Sequence, residues 1–315
     1  MRIIVTGAAG FIGSHLCERL LQDDRNEVIG IDGLIQPELR WIKQRNIQNL
    51  SDHPRFLNIE QNLLDFEWKK WLPDVDAVYH LAGMPGVRSS WGDDFQSYVT
   101  NNILVTQQML EACKNAPLQA LIYASTSSVY GETKEMVSED AATSPLSPYG
   151  ISKLCGEHLC RVYNKQMQIP IVILRYFTVY GPRQRSDMAF HRFIHHMLRG
   201  KPIPVHGDGT QTRDFTYIDD CVEATVSLLR YPHAAGETIN IGGKERASIL
   251  EVIAILEELT GQKAALQYMG EPRGEPKHTW ANIAKAGKLL QYEPKISIRN
   301  GLQKELADLE DMYNL

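Results

Sequence analysis

A doubly wound parallel α/β sheet is the fold this 315-residue sequence predicts, and three observations carry the expectation. Short β-rich runs alternate with longer helical stretches as far as Arg175. Those runs are continuously apolar, the pattern of strands covered by helices on both faces. The chain also opens on such a run and turns through closely spaced glycines into a helix, which is how a βαβ unit begins.

The elements follow in order. Residues 3–6 read as the first strand and 11–22 as the helix after the glycine turn. Strands are expected at 27–31, 56–59 and 77–81, then a long helix over 95–115 and a strand at 120–124. Residues 149–168 contain no proline or glycine run and predict a helix, followed by a strand at 170–175. Beyond Arg175 the rhythm loosens, with Gly181-Pro182, Gly200-Lys201-Pro202 and His206-Gly207-Asp208-Gly209 punctuating shorter elements. Helices are expected at 189–198, 219–230, 248–260 and 298–313, and a strand at 238–241. The division predicted is a nucleotide-binding sheet domain over 1–175 and a smaller α/β substrate-binding region over 176–315. Segments around 218–243 are expected to return to the first sheet.

Composition excludes several classes. Hydrophobic content of 43% and a net charge of −5 describe a globular protein, and no basic run is long enough to mark a nucleic-acid binder. Cys17, Cys113, Cys155, Cys160 and Cys221 are scattered without metal-ligand spacing, so no metal site is expected. The pattern suits buried thiols in a reducing compartment. Met1 leads straight into a strand, and the strongest later apolar run, 169–174, contains Pro170 and is too short to span a bilayer. A cytoplasmic protein with no membrane partner is expected.

The chemistry begins at Gly7-Ala8-Ala9-Gly10-Phe11-Ile12-Gly13, a spacing variant of the dinucleotide fingerprint with its strand before it and its helix after it. Gly7 serves the tight turn, Gly10 the approach to a pyrophosphate and Gly13 the close packing of helix on strand. The helix N-terminus offers amide donors to phosphates. Asp32 ends the second strand, placed to accept from both adenosine ribose hydroxyls and to repel a 2′-phosphate, which favours NAD over NADP.

A second constellation joins Thr126 at a strand end to Tyr149 and Lys153, a phenol and an ammonium four residues apart on one helix face. The ammonium favours the phenolate, and the threonine hydroxyl can share the proton. This is equipment for moving a proton on or off an alcohol. The spacing also fits Tyr130 and Lys134, but Gly131 and the preceding apolar run place that pair in a loop.

Taken together, the glycine turn, His80-Leu81-Ala82-Gly83, Asn102, the Ser125–Gly131 strand end, Tyr149–Lys153, Leu174–Arg183 and Arg213–Asp220 resemble the extended short-chain dehydrogenase/reductase family, specifically its nucleotide-sugar epimerases. The resemblance spans essentially the whole chain. It implies a Rossmann sheet, NAD as cofactor, Tyr149 as catalytic base and acid, and Lys153 lowering its pKa while holding the nicotinamide ribose. Thr126 matches the residue that bonds the reacting hydroxyl. Asn62 stands where the family has an aspartate reading the adenine amino group. Leu63, Leu81, Ala82, Gly83 and Asn102 match the lining of the cofactor. A homodimer through a four-helix bundle, built from the helices at 95–115 and 149–168, is implied as well.

In that family Tyr149 removes the O4 proton of the sugar while C4 gives up hydride. The 4,6-dehydratases then use an aspartate-glutamate pair after the threonine, and UDP-glucuronate decarboxylases a glutamate just before Val-Tyr-Gly. Here Ser127 and Ser128 stand at those places, so rotation of the keto sugar and hydride return to its other face is the simplest outcome. Thr178 replaces the asparagine typical of UDP-glucose 4-epimerases, and the segment 175–189 is similar to that of UDP-glucuronate 4-epimerases. Ser127, Ser128 and Thr178 offer hydroxyls to a uronate carboxylate, with charge from Arg185 and a second cation in Arg88. Arg213 is implied at the diphosphate and Val205 near the base. Arg273 and Glu275 lie near the family's Arg-Pro-Gly-Asp position, in a shifted Glu-Pro-Arg-Gly-Glu-Pro pattern. The expected reaction is epimerisation of UDP-glucuronate to UDP-galacturonate, with UDP-glucuronate decarboxylase or UDP-glucose 4-epimerase as alternatives.

Overall fold

The computed structural model describes residues 1–271 and 273–314. Strand β1 (Arg2–Thr6) leads into helix α1 (Phe11–Leu21) and strand β2 (Glu27–Asp32). After them come α2 (Arg40–Ile47), β3 (Phe56–Glu60), α3 (Trp68–Trp71), β4 (Ala77–His80), α4 (Phe95–Tyr98), α5 (Val105–Cys113), β5 (Ala120–Thr126), α6 (Pro148–Met167) and β6 (Ile171–Tyr176). The remainder holds β7 (Thr178–Tyr180), α7 (Ala189–Leu198), β8 (Ile203–His206), β9 (Thr212–Tyr217) and α8 (Ile218–Ser227). It ends with β10 (Thr238–Ile241), β11 (Glu245–Ser248), α9 (Ile249–Thr260), β12 (Leu266–Met269), α10 (Ala284–Leu290) and α11 (Ile298–Tyr313).

Seven parallel strands form the main sheet in the order β10-β6-β5-β4-β1-β2-β3. The parallel α/β class is therefore the one the apolar runs predict. Alternate residues of β1 enter opposite cores. Ile3 and Val5 join Leu16, Cys17 and Leu20 of α1 and Cys221 and Val222 of α8. Ile4 joins Met109, Leu110 and Cys113 of α5 and Cys160 of α6. Strand order reverses between β1 and β4, and the crevice at their carboxyl ends is where an open α/β sheet takes its ligand.

The chain returns to this sheet late. After β9, helix α8 packs against α1, and β10 pairs with β6 through Thr238–Ile173 to Ile241–Tyr176. Two smaller sheets, β11-β9-β7 and β12-β8, form the far wall of the crevice. Their strands are only three to six residues long, and the sequence reading did not resolve them. Helices α2 and α10 were also missed.

The expected helix over 95–115 differs in one respect. Residues Val99–Leu104 form a π-helical turn between α4 and α5. The extra residue in that turn serves Asn102, which is buried. Its Oδ1 accepts from Met84 N at 2.7 Å, and its Nδ2 donates to Met84 O at 3.0 Å and Ser152 Oγ at 2.9 Å. Bulges of this kind often mark functional positions in helices. Among the described residues, no helix is long and apolar enough to cross a membrane.

Candidate active site

The crevice is a cleft of about 900 Å³ running from the glycine turn to the smaller sheets. Its cofactor end is built from backbone. Gly7 adopts a left-handed conformation (φ 71°), and its N–H donates to Ile31 O at 2.8 Å, fixing β1 to the end of β2. A Cβ on Gly13 would stand 2.1 Å from Gly7 O, so α1 can only begin this close to the turn on glycine. No side chain caps α1, which leaves the amides of Phe11, Ile12 and Gly13 on the cleft wall for phosphate oxygens.

Asp32 is 6% exposed. Its Oδ1 accepts from Lys43 Nζ at 2.7 Å and Leu34 N at 3.0 Å, while Oδ2 is buried without a partner among the described residues. An orphaned carboxylate oxygen facing a nucleotide-sized cleft fits a ribose hydroxyl donor. Asn46, also on the cleft, carries a second orphan in Oδ1. The residues present therefore fit a bound dinucleotide. Asn62, Leu63, Leu81, Ala82 and Gly83 line the same end. Asn62 Oδ1 already accepts from Leu64 N at 3.1 Å, so one lone pair is left for an adenine amino group. Asn102 stands behind the lining, and its side chain holds Met84 and Ser152 in place.

At the middle of the cleft lie Thr126, Ser127, Ser128, Tyr149, Lys153, Thr178 and Arg185. Thr126 Oγ1 accepts from Ser128 N and donates to Ser128 Oγ, both at 3.2 Å, a short turn that ends β5. Ser147 caps α6 by accepting from Gly150 N at 3.1 Å with Pro148 in the first turn, which starts the helix just before Tyr149. Burial pushes the Tyr149 phenol up, and the Thr126 hydroxyl and the Arg185 charge draw it part of the way back. Lys153 does not figure among these influences. Burial pulls the Lys153 ammonium down to about 8. His80, fully buried, is pushed down to about 3 by burial and by Lys153. It is neutral, bonding Thr6 Oγ1 at 2.9 Å and Thr106 Oγ1 at 3.1 Å.

The far end is ionic. Arg88 Nε donates to Glu275 Oε1 at 2.6 Å, and Arg213 Nη2 reaches Glu275 Oε2 at 3.4 Å. Arg185 is held bidentate by Asp187 at 2.9 and 2.8 Å. Seven lysines and arginines line the cleft against three carboxylates, so an anionic ligand is favoured in a chain that is acidic overall.

Two expectations need correction. Val205 is fully buried in β8, and its neighbours Pro204 and His206 face the cleft, because alternate strand residues point to opposite sides. Arg273 lies outside the cleft lining, with its guanidinium 5.5 Å from the centroid of the Trp91 ring. Sequence reading also missed Lys43, Arg183, Asp187 and Arg192, all on the cleft. Arg183 has a left-handed backbone (φ 64°) and bonds Ser14 and Glu18 of α1 from the opposite wall. The arginines in Arg183-Gln184-Arg185 were its available signal; Lys43, on an unrecognised helix, gave none.

A fold with a dinucleotide crevice, a tyrosine-lysine pair and a cationic far wall defines an NAD-linked enzyme acting on an anionic sugar derivative. The chain belongs to the NAD dependent epimerase/dehydratase family, whose model matches residues 3–242. It is 53% identical over 313 residues to an uncharacterized UDP-glucose epimerase of Bacillus subtilis (strain 168), covering 99% of each chain. It is 40% identical to the UDP-glucuronate 4-epimerase of Thermodesulfobacterium geofontis (strain OPF15), covering 96% of this chain and 94% of that one. Among solved structures, the UDP-glucuronic acid 4-epimerase from Bacillus cereus, in complex with UDP-glucuronic acid and NAD, superposes with a TM-score of 0.98 at 57% identity. That match covers 99% of this chain and 100% of the other.

Proposed function

We propose that this protein is a UDP-glucuronate 4-epimerase, interconverting UDP-glucuronate and UDP-galacturonate. The observation that carries the reading is the lining around Tyr149. Ser127, Ser128, Thr178 and Arg185 share its cleft, and the two residues that follow Thr126 are serines, not carboxylates. NAD, when bound, supplies the hydride acceptor for C4 and returns the hydride to the other face.

Tyr149 takes the O4 proton and later gives it back, with Thr126 sharing the hydrogen bond. Because burial holds the phenol up in the unliganded chain, ionisation of Tyr149 is coupled to the arrival of positive charge beside it. Gly7, Gly10, Phe11, Ile12 and Gly13 receive the pyrophosphate, and Asp32 the adenosine ribose. Lys153 holds the nicotinamide ribose. Arg213 takes the nucleotide diphosphate, with Glu275 and Arg88 adjoining. The 4-keto uronate is a β-keto acid, which loses carbon dioxide when its carboxylate bond stands perpendicular to the ketone plane. Three neutral hydroxyls and Arg185 orient the carboxylate away from that geometry, a case of geometric control.

We further infer a homodimer. Leu104, Ile151 and Val162 are exposed on the turn before α5 and on α6, which supports pairing through those helices. Sedimentation of a clean monomer at micromolar concentration would count against it. Five free cysteines agree with a cytoplasmic setting.

The deciding experiment is proton-resolved product analysis with UDP-glucuronate and with UDP-glucose. The expected result is a mixture with UDP-galacturonate, little UDP-pentose and slow conversion of the neutral sugar. Faster formation of UDP-galactose would overturn the role of Thr178, and a dominant pentose would make the enzyme a decarboxylase.

A further inference from the structure

Lys153 stands in an unusual setting for a cation. It is 6% exposed, and Glu157, one turn along α6, is committed elsewhere. Glu157 accepts from Arg175 at 2.9 and 2.7 Å, from Arg161 at 2.7 Å and from Ser125 Oγ at 2.5 Å. The other titratable groups near the ammonium are Tyr149 and Cys160 on α6, His80 on β4 and Tyr123 on β5. His80 is neutral, and burial keeps the Cys160 thiol protonated.

What the ammonium meets is a ring. Lys153 Nζ lies 4.7 Å from the centroid of Tyr123, which is itself fully buried. The ring is held there by glycine. A Cβ on Gly156 would stand 2.0 Å from Tyr123 Oη and 2.6 Å from Cζ, so any other residue at 156 would force the ring or the helix to move. Tyr123 Oη is also 3.4 Å from Lys153 O. A desolvated ammonium over an aromatic face is attracted by the ring quadrupole.

We propose that Tyr123 is a positioning residue for catalysis, its π face fixing the Lys153 ammonium toward the cleft and keeping it charged, with Gly156 as the gap that admits the ring. This rests on the proposed epimerase function, which the wild-type assay tests separately, and on the catalytic reading of Lys153, which Lys153→Met tests. Tyr123 touches neither the cofactor side of the cleft nor the sugar; it acts through the lysine.

The test replaces Tyr123 with phenylalanine and then with mono-, di- and trifluorophenylalanine, which keep shape while draining the ring face. Two readouts are taken, the pH–rate profile of the NAD-bound enzyme and the pH dependence of NAD affinity by calorimetry on enzyme freed of NAD. Tyr123→Phe should match wild type within about twofold, since the ring is retained. Along the fluorine series the alkaline limb should move stepwise to lower pH, by roughly half to one and a half units in all. A fall of roughly two- to thirtyfold in kcat near pH 8 should accompany it. Tyr123→Met, apolar and flexible, somewhat smaller and without a π face, should fall at the far end of the series. A flat fluorine series with unchanged limbs would overturn the proposal. So would equal losses in Tyr123→Phe and Tyr123→Met, which would assign the effect to the hydroxyl.

Discussion

The two ends of the cleft recognise charge by opposite means. At the cofactor end the work falls to main chain: glycines that let α1 approach the turn, uncapped amides, and one carboxylate with a free oxygen. At the sugar-nucleotide end it falls to long side chains from separate segments, each paired with a carboxylate neighbour. Arg88 and Arg213 share Glu275, and Arg185 is held by Asp187. A backbone site is preorganised and less sensitive to salt. A side-chain site must exchange internal ion pairs for the ligand, so its affinity depends on ionic strength and on the carboxylates as much as on the arginines.

The largest expected effect lies where the two ends meet. Tyr149→Phe should lower kcat by roughly two to four powers of ten while sparing binding of both NAD and UDP. Near-wild-type turnover would remove the tyrosine from the chemistry. Arg213→Met should weaken UDP by about ten- to hundredfold, as loss of a charged hydrogen-bond donor does, with NAD affinity unchanged by calorimetry. If NAD weakens equally, the ends are not independent. Gly13→Ala should cost about 1–3 kcal/mol, read as a lower Tm and weaker NAD, because the new methyl would stand 2.1 Å from Gly7 O, far inside van der Waals contact. An unchanged Tm would mean that α1 can slide and that the backbone site is softer than described.

Asp32→Ala should weaken NAD by about tenfold and narrow the preference over NADP, since Lys43 loses its partner and can face a 2′-phosphate. An unaltered preference would place cofactor choice elsewhere. The smallest effect belongs to neither end. Glu305 is fully buried, accepts from Gly181 N at 2.9 Å through one oxygen, and has no partner for the other among the described residues. Burial holds its carboxyl well above the usual range. Its folded pKa exceeds the unfolded one, so its stability contribution is complete below the ordinary carboxyl range and is lost as pH rises through the folded value. Glu305→Gln should remove that decline, so that the variant gains stability over the wild type as pH rises from 5 to 8 in denaturant titrations. Parallel pH dependence in both proteins would contradict it.

The same contrast explains what the sequence made legible. Gly7, Gly10, Gly13 and Asp32 sit in one short span around a strand and a helix, where local spacing implies geometry. Tyr149 and Lys153 share a helix face for the same reason. Arg213 and Glu275 come together only because β9 and the segment after β12 fold against one wall, and no spacing encodes that. Val205 went astray because strand register decides which of two neighbours faces the ligand. The π-helical turn around Asn102 was invisible because its cause is a side chain reaching Met84 and Ser152, on other segments. The short strands of the smaller sheets lack the apolar length that marked β1 and β6.

The return of the chain through β10 has a consequence for anyone who would recombine relatives of this enzyme. A cut after Arg175 leaves β6 without its neighbour on one side, although all six of its residues are buried in the intact sheet. The fragment would present an unpaired apolar edge, a template for intermolecular strand addition. It would also lose α8, whose Cys221 and Val222 close the core over α1. Exchange of substrate specificity by grafting therefore has to move discontinuous pieces, the wall strands and loops, and leave α8 and β10 with the sheet they complete.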